Sequence, residues 1–257
     1  SQGVSALLCF RLLLTTKEPY RVELKKIRYH WDSFKDIVRY GLPSGVQNSV
    51  IAMANLVVQT NINSFGKAAM AGCGSYSKIE GFAFLPITCF AQALSTFVGQ
   101  NLGAQQYGRV KKGVRFAVIC SVSMAELIGV ASYLLAPQLI SIFNDSPEVV
   151  AYGAAHMRTI CLFYCLLALS HCIAGILRGA GKATVPMFIM LGCWCLLRVT
   201  YISIAMQHVN ELHTVSMAYP ITWFASSVLF IIYFYAADWM HAFDRQAARE
   251  KQVQNEA

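Results

Sequence analysis

Five charged side chains stand inside long, otherwise uncharged stretches of this chain: Lys78, Glu80, Glu126, Arg158 and Arg198. A charge midway through a membrane-spanning helix costs about 2.5–3.5 kcal/mol on insertion scales, so each needs a reason. Glu80 offers the richest chemistry, because a carboxylate there can take up a proton or bind an alkali cation. Pro86, six residues on, deprives the Phe82 carbonyl of its helical partner. A carboxylate beside a freed carbonyl presents oxygens to a cation where irregular backbone must line a cavity. Lys78 falls on a different helix face from Glu80 and is expected to reach for the outer surface. Arg198 calls for an anion or several carbonyls, and an ion pair with Glu80 or Glu126 is the simplest reading. Glu126 faces an interior whose direction the surrounding small and apolar residues do not set. Arg158, near a stretch end, can snorkel, and His171 reads as a hydrogen-bonded interhelical residue rather than a proton relay.

Uncharged polar groups add to this. Asn48, Asn55 and Gln59 are spaced seven and four apart, which puts them on one helix face, with Gln47 adjoining. Such a stripe does not face lipid comfortably, so it serves a cavity or interhelical packing, and both readings stand. Tyr152, Phe163, Tyr164 and Phe188 could touch an aromatic cation, although packing is the commoner use of such rings. Gly41-x3-Gly45, Gly99-x3-Gly103 and Gly175-x3-Gly179 have the spacing that lets helices approach closely.

Other patterns carry no chemistry. Gly179-Ala-Gly181-Lys182 lacks the first glycine and the Ser/Thr of a phosphate-binding loop. The nine cysteines lie almost entirely in apolar stretches without paired Cys-x2-Cys blocks, so they read as buried, reduced hydrophobes. No catalytic triad, paired-carboxylate motif or metal-binding histidine pair is discernible. An enzyme reading therefore has little support, and neither a resident metal nor a cofactor is expected.

The elements that position these residues follow from composition. Hydrophobic residues make up 56% of the 257-residue chain and charged residues 13%, about half the ~25% usual in soluble domains. Six windows are long and apolar enough to cross a bilayer: 40–65, 68–108, 116–144, 149–177, 183–210 and 212–237. The expected fold is an all-α polytopic membrane protein, with the lipid bilayer as its first partner. Residues 1–14 read as the end of a helix whose beginning is missing, so the chain reads as a fragment. Residues 15–39 read as a basic amphipathic connector, 40–237 as a six-helix lobe, and 238–257 as a cytoplasmic tail. Leu24, Ile27, Trp31 and Phe34 would form the connector's apolar face. Alternate loops collect sixteen basic residues against a single lysine, Lys67, on the other side. By the positive-inside rule the basic side, with both ends of the six-helix unit, is cytoplasmic. The net charge of +8 is thus a topology signal, and no nucleic-acid partner is expected.

Three segments are specific in combination. Gly41-Leu-Pro43-Ser-Gly-Val-Gln47-Asn48 opens a span. Lys78-Ile-Glu80 and Leu85-Pro86 lead into Phe97-Val-Gly99-Gln100-Asn101-Leu-Gly103-Ala104. Leu177-Arg178-Gly179-Ala-Gly181-Lys182 precedes Pro186-Met187. In this order they resemble the second half of multidrug and toxic compound extrusion (MATE) transporters, over nearly the whole chain. The resemblance implies one six-helix lobe of a two-lobe antiporter, with an N-terminal lobe as partner. It further implies a drug or organic cation as cargo, exchanged for Na+ or H+ across the plasma membrane. Family branches with a carboxylate in the helix matching 40–65 differ from this chain, which has only amides there. A lipid-linked saccharide flippase of the same superfamily, or a non-transporting scaffold, is the alternative.

The topology is testable by cysteine labelling from outside on a cysteine-free background. Cysteine at Asp145 should label and cysteine at Gln106 should not; the reverse pattern would invert the orientation.

Overall fold

The computed structural model describes residues 2–16, 21–22, 28 and 30–241. Contacts divide the chain into two units, Ser1–Arg39 and Tyr40–Ala257. In the first, α1 (Gln2–Thr15) is an exposed apolar helix, about 21 Å long at 1.5 Å per residue and so short of a ~30 Å bilayer core. Trp31 stacks on Phe34 at 5.5 Å at the start of α2 (Trp31–Asn63). Leu24 and Ile27 of the expected amphipathic face, and tail residues 242–257, lie outside the described residues.

In the second unit α2 continues and is followed by α3 (Lys67–Gly103), α4 (Tyr107–Leu134), α5 (Ala136–Ser141), α6 (Pro147–Cys161) and α7 (Tyr164–Gly179). Then come α8 (Thr184–Met190), a π-helical segment at Leu191–Leu197, α9 (Arg198–His208) and α10 (Leu212–Ala236). Among the described residues every regular element is helical. Four helical stretches are long and apolar enough to cross a membrane: α3, α4, the α8–α9 run and α10. The α6–α7 pair, bent by 53° at Leu162–Phe163, makes a fifth if it is one span. The window expected at 40–65 is not among them. Its helix is 33 residues long, but its amides lower its hydropathy.

Turn chemistry accounts for two glycine-bearing motifs. At the end of α7, Lys182 N–H donates to Leu177 O at 2.8 Å and Gly181 N–H to Arg178 O at 3.0 Å. This paired closure needs a left-handed residue, which Gly181 supplies at φ 75°. The same closure ends α3, where Gln106 N–H donates to Asn101 O at 2.8 Å and Gln105 holds φ 57°. Asn101 also donates from Nδ2 to Phe97 O.

Small residues set the packing. A β-carbon on Gly175 would fall 2.3 Å from Ala91 O, and one on Gly179 2.3 Å from Ser95 O. One on Gly72 would meet Val149 O at 2.6 Å, and one on Gly129 would meet Cys161 O at 2.2 Å. Backbones of α3 and α6–α7 therefore touch directly, and α4 seats against the carbonyl at the α6–α7 break. Of the three Gly-x3-Gly pairs, only Gly175/Gly179 works as a pair. Gly99 lies against Gly179 O, while Gly41, Gly45 and Gly103 face open space.

Two substitutions separate these cases. Gly175→Val should cost about 1–3 kcal/mol or more by overpacking, seen as a lower melting temperature in detergent. Gly41→Ala should be neutral or gain up to about 1 kcal/mol from helix propensity. Equal effects would contradict the packing.

Candidate functional site

One cavity of about 520 Å³ gathers residues from α2, α3, the π segment, α9 and α10. Asn55 and Gln59 line it from α2, Glu80 from α3, Trp194 from the π segment, Arg198 from α9, and Tyr219 and Trp223 from α10. Glu80 and Arg198 are the charged side chains in its lining.

Arg198 is only 1% exposed yet makes no ion pair within 4.0 Å among the described residues, contrary to the expected link to Glu80 or Glu126. Neutral oxygens hold it instead. Its Nη1 donates to Asn55 Oδ1 and its Nη2 to Thr222 Oγ1, each at 2.9 Å. The Thr222 hydroxyl in turn donates to Ala218 O and Tyr219 O of its own helix, which leaves its lone pairs free for the guanidinium. The guanidinium lies 4.6 Å from the Tyr219 ring centre and 5.5 Å from that of Trp194. Aromatic faces thus supply a diffuse negative potential where a carboxylate would otherwise stand. Nε of Arg198 has no partner, and neither has Nε1 of Trp223.

Glu80 is oriented by an inner layer. Its Oε1 accepts from the Tyr76 hydroxyl at 2.9 Å, and that hydroxyl lies 3.3 Å from the Tyr164 hydroxyl. His156 packs edge-on against Tyr76 and pairs with Ser216 at 2.6 Å. Helix α3 runs on through Pro86, whose missing N–H leaves the Phe82 carbonyl without its helical donor, and the group bonded to Glu80 is the Tyr76 phenol. A ladder of hydroxyls pins α10 to α7, with Ser170 2.9 Å from Ser227 and 3.1 Å from Ser226. Trp194 Nε1 donates to the same Ser226, which fixes its ring at the cavity wall.

The other expected residues lie elsewhere. Asn48 is exposed and outside the lining, so the stripe narrows to Asn55 and Gln59. Gln47 is buried and donates to the Met190 sulfur, a packing role. Glu126 meets the Cys165 thiol at the α6–α7 break and leaves Oε2 buried without a partner. Lys78 sits over the Phe143 ring, and Arg158 over Tyr133. His171 is wedged edge-on between Phe84 and Trp194, and its Nε2 has no hydrogen bond. Of the four aromatic residues proposed for cargo contact, none lines the cavity; Trp194, Tyr219, Trp223 and Phe84 do. The nine cysteines are free, and no metal-binding cluster occurs among the described residues.

Among the described residues an all-helical arrangement with helices long and apolar enough to cross a membrane defines a polytopic membrane protein. The MatE family model matches residues 43–204, and the chain belongs to that family. It is 27% identical over 173 residues to a probable multidrug resistance protein NorM of Thermotoga maritima, covering 67% of this chain and 37% of that protein. It is 25% identical to a probable multidrug resistance protein YpnP of Bacillus subtilis, over 59% of this chain and 34% of that one. A crystal structure of MATE in complex with MaL6 superposes with a TM-score of 0.82 at 18% identity, covering 97% of this chain and 55% of that one. This last likeness shows the fold. The chain spans about half of that structure and less of those relatives.

The arrangement around Arg198 predicts a coupled pair of stabilities. Asn55→Leu should cost about 1.5–3 kcal/mol, because it strips an acceptor from a buried cation. Adding Arg198→Met should recover most of that loss in melting temperature. Additive losses would show that the two side chains do not depend on one another.

Proposed function

We propose that the chain is one lobe of a secondary-active antiporter that exports drug-like organic molecules, organic cations among them, in exchange for Na+ or H+. The observation that supports this most is Glu80, a carboxylate in mid-helix that opens on the cavity while Tyr76 holds one of its oxygens. A buried carboxylate is the usual element that exchanges a proton or cation in such proteins. An aromatic-walled space of about 520 Å³ suits part of a drug-sized molecule. A second lobe would supply the remaining walls, and both ends of the six-helix unit would be cytoplasmic in a plasma membrane.

Membership in the family and the names of the relatives support a transporter over an enzyme or scaffold. The flippase alternative would favour a basic cavity, whereas here one carboxylate stands against one guanidinium.

The test is Glu80→Gln, which preserves shape and removes charge. In the two-lobe protein the variant should melt within a few degrees of the unsubstituted protein and lose gradient-driven efflux of a fluorescent substrate from proteoliposomes. Sodium and proton gradients applied separately would name the ion. Normal efflux by a well-folded Glu80→Gln protein would remove this residue from coupling.

A further inference from the structure

A second groove, of about 890 Å³, lies among α4, α7 and the last turns of α10, and it shares no lining residue with the Glu80 cavity. Lys111, Arg115, Val118 and Ile119 line it from α4. Their spacing puts them along one helix face, the charged pair in the first turns and the aliphatic pair further in. Leu169 and Ile173 of α7, with Ile231 and Phe234 of α10, continue the apolar wall. These side chains offer water no hydrogen-bond partner. Tyr235 and Trp239, which also line the groove at the end of α10, are the residue types that settle at the head-group level of a bilayer. Lys111 and Arg115 are exposed, and among the described residues neither is in an ion pair within 4.0 Å. Asp238, the carboxylate in the lining, is bonded to His241 at 2.7 Å. Two open cations thus stand at one end of a hydrocarbon-lined groove.

An acyl chain alone would fill the groove and leave the cations to water. A soluble phosphate would meet the cations and leave the apolar walls uncovered. A molecule that carries both a phosphate and an acyl chain satisfies both ends. The chain's own tail, residues 242–257, fits poorly: its three basic residues balance three acidic ones, and Phe243 and Val253 are its large apolar side chains. We propose that the groove is a site for one anionic phospholipid of the surrounding bilayer. Lys111 and Arg115 receive the phosphate, and an acyl chain lies between α4, α7 and α10. The inference rests on the chain spanning a membrane and is independent of the lobe's cargo and coupling ion.

Native mass spectrometry of the purified protein in detergent, titrated with dioleoyl-phosphatidylglycerol or dioleoyl-phosphatidylcholine, reads the first bound lipid separately from later ones. Phosphatidylglycerol should bind about tenfold tighter or more, since each basic residue near an anionic head group is worth about fivefold. Lys111→Gln should therefore weaken it about fivefold. Lys112→Gln makes the same charge change on the neighbouring face, outside the lining, and should leave the affinity unchanged. Leu169→Trp fills the groove without touching charge and should weaken both lipids, by about fourfold for each methylene displaced. Glycerol phosphate, a head group without chains, should not displace the bound lipid. Melting temperatures report the fold of each variant, and if Leu169→Trp does not fold, the two exposed lysines decide. Equal affinity for the two lipids, or equal losses from Lys111→Gln and Lys112→Gln, overturns the assignment. So does unchanged affinity in a folded Leu169→Trp protein, displacement by glycerol phosphate, or a dimer in place of the lipid adduct.

Discussion

Backbone-to-backbone contact between α3 and the α6–α7 pair is the constraint on which the rest of the lobe depends. Gly72, Gly175 and Gly179 leave no room for even a methyl group at these crossings. At that separation each helix is fixed in rotation as well as position, because any turn would drive a side chain into the opposing carbonyls. Tyr76, one turn beyond Gly72, and Tyr164, at the start of α7, are thereby brought hydroxyl to hydroxyl. Glu80 follows one turn further along α3. The carboxylate's place in the cavity is thus inherited from glycines that never touch it.

A second economy concerns charge. Burying a guanidinium against a carboxylate incurs desolvation of two ions, and removing either partner leaves the other stranded. This lobe holds Arg198 with one amide, one hydroxyl and two ring faces, all neutral. The cation is therefore retained without an ion pair within 4.0 Å among the described residues. Its acceptors come from α2 and α10, so the arginine also ties these two helices together. The serine ladder between α7 and α10 performs the corresponding task deeper in the lobe.

Much of this was legible in the sequence, and the gaps have physical causes. Glu80, Arg198, Asn55 and Gln59 stood out because polar groups are conspicuous in apolar stretches, and the cavity does collect all four. What they bond to was not legible. Arg198 and Asn55 are 143 residues apart, and helix periodicity reports a face without its neighbour. Glu126 illustrates this: its conspicuous charge points to the α6–α7 break. Tyr219, Trp194 and Trp223 were overlooked because aromatic residues fill cores as readily as they line cavities. A Thr three residues from Tyr219 and a pair of serines after Trp223 were the available signal, since buried hydroxyls mark positions where a neighbour donates. Gly41-x3-Gly45 had the correct spacing for close approach but faces open space, a difference that spacing alone does not encode.

The π-helical segment Leu191–Leu197 has an evolutionary reading. A π-helical turn is an α-helix that has absorbed an extra residue without passing the added rotation on along its whole length. Arg198 opens the helix immediately after it, so the arginine keeps its bearing whether or not the extra residue is present. Deleting a single codon in this stretch would let the wide turn relax to α-helical pitch and leave the guanidinium facing Asn55 and Thr222. A lineage could therefore re-space Trp194 and its neighbours on the cavity wall in one indel, without disturbing the arginine beyond them.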